Sequence, residues 1–326
     1  MSGVDIDRAR LEDAAPRDAL LALSARGSLR LPYPGEGETA IRHRRLYELA
    51  RIWTVSVGRL AEAHTDATAI LHEAGRPVDD RRLYGVWASE APGHAVTVDW
   101  VAGKVSGSKP FCSGLGIVDR ALVAVGDRDG FDWLIDLDVA SSSSVRHDVT
   151  GWKTAALADT RTGTVAFVDH PVDGERSVGG PRWYVDRPGF WRGSCGPAAC
   201  WAGAAAGLAD QAEEFAGDDP HRRAQVGALR AATWSLRAML DHAGRGIDDD
   251  ATGADARYIA LALRHGIERT CTEMLDLFGR AGGPRALTTS AEVAQRFADV
   301  QLYVRQHPGE RDLHVLADIP RSPRAS

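Results

Sequence analysis

Cysteine is scarce in this sequence, and basic residues do not exceed acidic ones. The chain has four cysteines among 326 residues, and no two of them are spaced as CxxC. Zinc sites and disulfide frameworks need grouped cysteines, so we predict neither and expect reduced thiols of the kind found in a cytoplasm. The formal net charge of −6 provides no basic field that would hold nucleic acid.

Long apolar runs are absent as well. The longest, over residues 195–208, falls short of the roughly 20 residues needed to cross a bilayer. Its alanines and glycines favour a close-packed buried helix instead. The first residues, MSGVDIDRARLED, are charged and lack the apolar core of a secretory signal. We therefore expect a cytoplasmic protein with no membrane partner.

The first 188 residues change from helical to strand-like periodicity. Residues 1–83 carry apolar side chains at helical spacing, for example Leu46, Leu49 and Trp53, which predicts an N-terminal helical domain. Residues 84–188 hold short β-rich runs between Gly, Asp and Ser clusters, and the break at Gly103 predicts a hairpin. This second stretch is expected to form a central antiparallel β-barrel or sandwich.

Residues 189–326 return to helical spacing and predict a C-terminal four-helix bundle. Asp-Pro, Gly-Arg-Gly and Gly-Gly-Pro sequences separate the candidate helices, and Thr289 or Ser290 would cap the last of them. The candidates cover residues 196–216, 224–243, 254–278 and 291–307. The expected fold class is therefore α+β, with three domains over residues 1–83, 84–188 and 189–326.

Two segments of the β region carry motifs that point to a cofactor. Residues 105–114 read VSGSKPFCSG, and residues 85–93 read GVWASEAPG. The segment at residues 85–93 comes first in the chain, and both segments lie between a helical start and a helical bundle. With this arrangement they resemble the flavin-binding strands of the acyl-CoA dehydrogenase superfamily. The resemblance implies FAD as the cofactor, with four contacts to its ring: Phe111 beside the ring, Ser113 near flavin N5, Ser89 on the pyrimidine side, and Trp87.

A glycine-rich segment in the helical region, residues 276–283, reads DLFGRAGG. It resembles the turn that, in this family, crosses to a neighbouring subunit and holds the dinucleotide part of FAD. Glycines there let backbone N–H groups approach a phosphate closely. The resemblance thus implies cofactor contacts for Asp276, Gly279, Gly282 and Gly283. It also implies a homo-oligomer, a dimer or tetramer, while a hetero-oligomer stays open.

The catalytic base of the family is missing. Acyl-CoA dehydrogenation needs a carboxylate within reach of the α-proton. The position that the family uses after the last bundle helix falls on Arg305, and the alternative near Gly189 has no acid beside it. The remaining candidates are His307, which can exchange a proton near neutral pH, and Arg305, which would pair with an acidic substrate or phosphate.

No metal site is predicted. His64 and His72 lie about two helical turns apart, and no third ligand is evident near them.

Three functions remain open. The first is a FAD-dependent oxidoreductase acting on an acyl thioester, possibly acyl-CoA, or on a related small molecule. The second is a flavin-dependent monooxygenase of the same fold, because relatives of that kind often carry a His in the region of His307. The third is a non-catalytic member that keeps the fold as a binding or assembly subunit. Flavin binding, bleaching by acyl-CoA and oxygen consumption separate the three.

Overall fold

The computed structural model describes residues 15–130, 132–140, 142–250 and 252–319. The chain divides into two compact units. The sheet unit contains the described residues up to Arg30, together with Ala63–Lys153 and Ala158–Val185. The bundle unit contains Leu31–Glu62, Thr154–Leu157 and the described residues from Asp186 onward. Residues of the N-terminal region contribute to both units, and the three domain boundaries given above stay a prediction.

The sheet unit is built on one seven-stranded sheet. Its strands are β1 (Tyr84–Trp87), β2 (Val96–Asp99), β3 (Lys104–Cys112), β4 (Arg120–Gly126), β5 (Asp132–Asp138), β6 (Val145–Asp148) and β7 (Gly163–Pro171). They lie in the order β1-β4-β2-β3-β7-β6, with β5 paired to β4. The predicted hairpin at Gly103 is confirmed, because β2 and β3 pair antiparallel on either side of it.

The prediction of a purely antiparallel sheet is wrong. Strand β4 pairs in parallel with both β1 and β2, so the sheet is mixed. Parallel neighbours need a long connection, and here the β2–β3 hairpin lies between β1 and β4 in sequence. The sequence pattern of single strands carries no information about such long-range pairing.

Alternation along β4 gives the sheet two apolar faces. Ala121, Val123 and Val125 join a core formed with residues of β2, β3, β5 and β7. Leu122 points the other way, into a second core. The helix Val55–Glu73 covers that second face with its residues 67–71. Strand β4 is therefore buried on both faces.

The helices are α1 (Pro16–Ala25), α2 (Thr39–Ile52), α3 (Val55–Glu73), α4 (Trp183–Asp186), α5 (Gly189–Gly193), α6 (Gly196–Ala216), α7 (Pro220–Asp249), α8 (Ala256–Thr289), α9 (Ala291–Val304) and α10 (Glu310–Asp318). The bundle unit packs α6, α7, α8 and α9 together, and α2 from the N-terminal region packs against α6 and α7. The α+β class is thus confirmed. Ser290 caps α9 as predicted, because its Oγ accepts a hydrogen bond from the backbone N–H of Val293 at 3.3 Å.

Glycines set how closely these helices approach. A Cβ on Gly203 of α6 would lie 2.0 Å from the backbone oxygen of Tyr47, so α6 lies directly on α2. The predicted break at residues 244–246 is wrong, because α7 continues to Asp249. Gly244 instead allows α2 to pack closely against α7, because a Cβ there would lie 2.5 Å from the Cα of Ala40. Within the residues that the structure describes, no helix has both the length and the apolar character of a membrane-spanning segment.

Candidate functional site

A bulge in β3 exposes Phe111 at the surface. The register between β3 and β7 shifts between Lys109 and Cys112, and Phe111 has a φ of 59°. Its side chain is 61% exposed, whereas Lys109 and Cys112 are buried. A positive φ is unfavourable for a bulky residue and costs on the order of 1–3 kcal/mol. The sheet therefore holds an aromatic ring at the surface in a strained backbone conformation.

Two hydrogen bonds hold the backbone on both sides of this bulge. The Lys109 Nζ donates to the backbone oxygen of Ser89 at 3.0 Å, and the Trp87 Nε1 donates to the backbone oxygen of Ser113 at 2.9 Å. Lys109 is only 6% exposed, and burial lowers the pKa of its ammonium group. The segment after β1 and the end of β3 are thereby tied together around Phe111.

The structure places the four predicted ring contacts at the ends of β1 and β3, which the two hydrogen bonds hold together. We call Trp87, Ser89, Lys109, Phe111 and Ser113 the strand-end site. Ser89 is exposed, and the Ser113 Oγ pairs with the Oγ1 of a buried threonine at 2.9 Å. The contacts themselves stay a prediction. Between Phe111 and Ser113, burial raises the pKa of the Cys112 thiol to about 12, so this thiol is a poor nucleophile.

A cavity of about 550 Å³ opens beside Lys109 within the sheet unit. Its wall also includes residues 90–92, 94–97 and 124–126, together with Asp132. Ligand pockets typically have volumes of roughly 300–1,000 Å³. The sheet unit therefore has room for a ligand of moderate size next to the strand-end site.

His307 lies in a separate polar group in the bundle unit. It follows α9, and its side chain is 2% exposed. Within the described part of the chain, neither of its ring nitrogens has a hydrogen-bond partner. The ring centroids of Trp201 and His265 lie 6.2 and 5.9 Å from that of His307. The Oδ2 of Asp312 lies 3.6 Å from the Nδ1 of His307.

Arg264 completes a ring of contacts, which we call the bundle cluster: Trp201, Arg264, His265, His307 and Asp312. The Arg264 Nε lies 3.8 Å from the Asp312 Oδ2, and its guanidinium carbon lies 6.0 Å from the Trp201 ring centroid. Each of the five residues has a buried polar atom without a hydrogen-bond partner among the described residues. Such atoms are few in native proteins and cost about 1–3 kcal/mol each.

The charge state of His307 follows from this environment. Burial lowers its pKa, and the nearby Arg264 lowers it further, while Asp312 and Glu268 act in the opposite direction. The net pKa lies below the ordinary value of 6.5, so the imidazole is neutral at pH 7. A neutral imidazole has one donor and one acceptor nitrogen. His307 can therefore accept or relay a proton.

Arg305, the second predicted catalytic residue, has a carboxylate partner. Its Nη1 lies 2.9 Å from the Oε1 of buried Glu268, and the Thr272 hydroxyl also donates to that oxygen at 2.9 Å. Arg305 lines a cavity of about 500 Å³ with Asp276 and Gly279. Its catalytic role stays a prediction, and Asp276 forms an exposed ion pair with Arg280 at 2.7 Å.

The turn predicted at residues 276–283 is confined to the last residue of that segment, and the cofactor contacts predicted for it stay a prediction. Helix α8 runs through Gly279 and Gly282, and only Gly283, with a φ of 61°, breaks it before Pro284. Gly282 is buried, and a Cβ there would lie 2.5 Å from that of Ala286. Backbone N–H groups inside a helix are already hydrogen-bonded to carbonyls, so Gly279 and Gly282 have none to offer a phosphate.

Sequence reasoning missed most of the bundle cluster. Asp312, the buried acid near His307, was not among the predicted residues. Arg264 and Glu268 interrupt the apolar stripe of α8 that includes Leu261 and Cys271. Charged residues on an apolar helix stripe are a signal that the sequence did contain.

Comparisons with known proteins agree with this fold. No protein-family model and no curated protein match the sequence. Solved structures do match. The dibenzothiophene monooxygenase TdsC from Paenibacillus sp. A11-2, solved with FMN and indole, has a TM-score of 0.77 at 17% identity, covering 98% of this chain and 95% of its own. The methanesulfinate monooxygenase MsuC from Pseudomonas fluorescens has a TM-score of 0.78 at 16% identity, covering 98% and 97%.

A third solved structure extends the range of ligands. KijD3, in complex with FMN and a dTDP-linked amino-keto sugar, has a TM-score of 0.80 at 15% identity, covering 97% of this chain and 92% of its own. These proteins have the acyl-CoA dehydrogenase-like fold, so the predicted fold is confirmed at that level. At such identities the similarity establishes the fold, and the function has to be argued from the residues.

Proposed function

We propose that this protein is a flavin-dependent monooxygenase that binds FMN, the second of the three functions considered above, rather than an acyl-CoA dehydrogenase. The observation that carries the proposal is Phe111, an exposed aromatic ring held in a strained bulge between two hydrogen bonds. Strain of this kind concentrates at functional sites. Two monooxygenases of the same fold, TdsC and MsuC, support this choice, and TdsC and KijD3 were each solved with FMN.

FMN suits the described residues better than FAD. The residues at the strand-end site fit a flat aromatic ring: an aromatic side chain, an exposed serine and the half-buried Ser113. By the resemblance, the dinucleotide part of FAD would need a turn at residues 276–283, and here that segment is helical up to Gly282, with only Gly283 outside helical geometry. FMN lacks the adenylate half, so it does not need that turn. We therefore replace the FAD implied by the resemblance with FMN.

The proposed roles follow from the contacts. Bound in its reduced form, the flavin supplies the two electrons with which oxygen is split between the substrate and water. Phe111 packs against the ring, and Ser89 and Ser113 orient it. Trp87 positions the backbone of Ser113 through its N–H. We keep the predicted acid–base role of His307 as a separate proposal, because its imidazole is neutral at pH 7 and the Asp312 Oδ2 lies 3.6 Å from its Nδ1.

The substrate and the assembly are further proposals. Related structures bind indole or a sugar nucleotide, so we propose a small-molecule substrate. We assign Arg305 to holding Glu268 rather than to the reaction. A homo-oligomer, implied by the resemblance, stays a proposal that light scattering can test.

The direct test is a titration with FMN, followed by quenching of flavin fluorescence. Phe111→Gly removes the ring and also relieves the positive φ, so the variant should be no less stable than the parent. Stacking on an aromatic side chain contributes roughly 1–3 kcal/mol, so FMN affinity should fall about tenfold or more. Val101→Gly is the matched control, because Val101 is an exposed apolar residue of the same unit.

Two results would overturn the proposal. A protein that takes up neither FMN nor FAD would point to the non-catalytic alternative. Anaerobic bleaching of the bound flavin by butanoyl-CoA or octanoyl-CoA would restore the dehydrogenase. We expect FMN binding without such bleaching, and oxygen consumption when reduced FMN is supplied.

A further inference from the structure

The cavity of about 550 Å³ beside Lys109, which we call the Lys109 cavity, has walls whose backbone is held in place. The link between β1 and β2 forms part of the wall and contains an antiparallel bridge between Ala91 and His94. Elsewhere on the wall, Gly126 of β4 pairs with Asp132 of β5, and the Asp132 carbonyl accepts a hydrogen bond from a further backbone N–H at 2.7 Å. Groups fixed in this way lose little conformational entropy when a ligand binds.

Two carboxylates and one amino group line the Lys109 cavity. Glu90 and Asp132 are exposed, and in the part of the chain that the structure describes neither side chain has a hydrogen bond or an ion pair. The Lys109 Nζ donates to the backbone oxygen of Ser89 at 3.0 Å, and both carboxylates attract it from a distance. With His94 neutral, two negative charges on the wall face one positive charge. The lining therefore favours a cation.

The hydrogen-bonding groups of this lining are of two kinds. Carboxylates only accept hydrogen bonds, whereas a lysine ammonium has three N–H donors, of which Ser89 uses one. A ligand that engages both kinds needs a donor for the carboxylates and an acceptor oxygen for Lys109. Apolar side chains, among them Pro92, Val96 and Val125, make up much of the remaining wall. The ligand therefore also needs a compact apolar frame.

Charge and the number of ligating groups argue against two other classes of ligand. An anion would meet an excess of negative charge. A metal ion needs more protein ligands than two carboxylates, and among the described residues no group of three or more His, Cys, Asp and Glu side chains could hold one. An ammonium group matches both the charge of the lining and its acceptors, because it forms charge-assisted hydrogen bonds to carboxylates.

We propose that the Lys109 cavity binds a small amine, whose ammonium group lies between Glu90 and Asp132 and whose hydroxyl or carbonyl oxygen accepts a hydrogen bond from Lys109. Lys109 also belongs to the strand-end site, so the bound amine adjoins the proposed flavin site within the same unit. The identification of the amine as the substrate of the monooxygenase rests on the proposed function, whereas its binding does not.

The test compares three ligands of one shape by ligand-observed NMR at pH 7 and constant ionic strength. The compound trans-4-aminocyclohexanol carries both the ammonium and the hydroxyl group, cyclohexane-1,4-diol lacks the ammonium, and cyclohexylamine lacks the hydroxyl. We expect saturable binding of aminocyclohexanol, with affinity about five- to tenfold higher than that of the diol and about threefold higher than that of cyclohexylamine.

Variants assign the contacts. Asp132→Asn and Glu90→Gln should each weaken aminocyclohexanol binding about three- to fivefold and leave diol binding unchanged. Both residues are exposed, so these variants should fold. Asp129→Asn is the matched control, because it removes one charge from an exposed residue of the same unit outside the cavity wall, and it should bind as the parent does. Lys109→Met should abolish the preference for aminocyclohexanol over cyclohexylamine.

The proposal is overturned if aminocyclohexanol does not bind saturably, if the diol binds as tightly, or if Asp129→Asn weakens binding as much as Asp132→Asn does. It is also overturned if FMN and the amine displace each other, because the cavity would then belong to the flavin. An FMN titration of Asp132→Asn separates this result from the flavin proposal, since Asp132 lies outside the strand-end site and its variant should retain FMN binding. Amine binding without any FMN binding would refute the monooxygenase and leave the amine site standing.

Discussion

The strand-end site and the bundle cluster differ in how far their polar side chains are hydrogen-bonded. In the strand-end site, Trp87, Lys109 and Ser113 all have hydrogen-bond partners, and the result is one exposed ring on a fixed backbone. In the bundle cluster, His307 and its neighbours have buried polar atoms without a hydrogen-bond partner among the described residues. The first arrangement suits a rigid wall for a flat ligand. The second lowers stability, because a buried polar atom without a partner is unfavourable.

The largest expected effect concerns the rigidity of the bundle unit. Gly203→Ala would place a Cβ 2.0 Å from the backbone oxygen of Tyr47, and neither helix can yield locally. We expect the free energy of unfolding to fall by about 3 kcal/mol or more in a urea titration. The control is Gly227→Ala, whose Cβ would meet nothing within 4 Å and which should gain about 0.5–1 kcal/mol. Equal stabilities for the two variants would contradict the close packing of α6 on α2.

The second prediction concerns how the stability of each unit depends on pH. His64 in the sheet unit and His43 in the bundle unit are buried, and burial lowers the pKa of each to about 4. The unfolded chain binds protons near the ordinary pKa of 6.5, whereas the folded chain does not. Stability should therefore be constant above about pH 6.5 and fall between about 6.5 and 4, by up to roughly 3 kcal/mol for each histidine.

Chemical denaturation at several pH values measures this slope. His64→Gln should flatten it by removing the contribution of the sheet unit, and His43→Gln by removing that of the bundle unit. In His64, Nδ1 accepts the backbone N–H of Tyr84 at 3.1 Å, so protonation also breaks a hydrogen bond. A slope that neither variant changes would show that other groups control acid sensitivity.

The third prediction removes one hydrogen bond of the strand-end site. Lys109→Met keeps the length of the side chain but deletes the hydrogen bond to Ser89. We expect FMN affinity to fall about five- to tenfold, because this buried bond is worth roughly 1–1.5 kcal/mol. Lys104→Met on the same strand is the control, since Lys104 forms only an exposed ion pair with Asp169. If both variants bind FMN as the parent does, Lys109 does not position the site.

The smallest expected effects concern the glycines of α8. Gly283→Ala should cost about 1–2 kcal/mol of stability because of its φ of 61°, and Gly279→Ala should gain about 0.5–1 kcal/mol. Neither change should alter flavin affinity. Loss of FAD or FMN binding in Gly279→Ala would instead reinstate the cofactor contact that the resemblance implied.

Structural features that depend on interactions between residues close in sequence were predicted correctly. Helix α6 has the predicted bounds of residues 196–216, and the hairpin at Gly103 and the cap at Ser290 are present. Apolar periodicity, turn residues and capping hydroxyls act within a few residues of each other. This is why they could be recognised without the fold.

Features that depend on distant contacts were missed. Strand β6 is mostly exposed and has no apolar alternation, so only its pairing with β7 defines it. The positive φ of Phe111 comes from the bulge opposite β7, and the role of Gly244 comes from the approach of α2. The resemblance pointed to the strand-end residues, whereas the approach of Asp312 to Arg264 became visible only when the helices were assembled.

The most direct test of the account is a crystal structure of the protein with FMN. The account predicts that the isoalloxazine ring lies in van der Waals contact with Phe111, with Ser113 and Ser89 at its polar edge. A flavin bound elsewhere on the chain, with Phe111 still exposed to solvent, would contradict it.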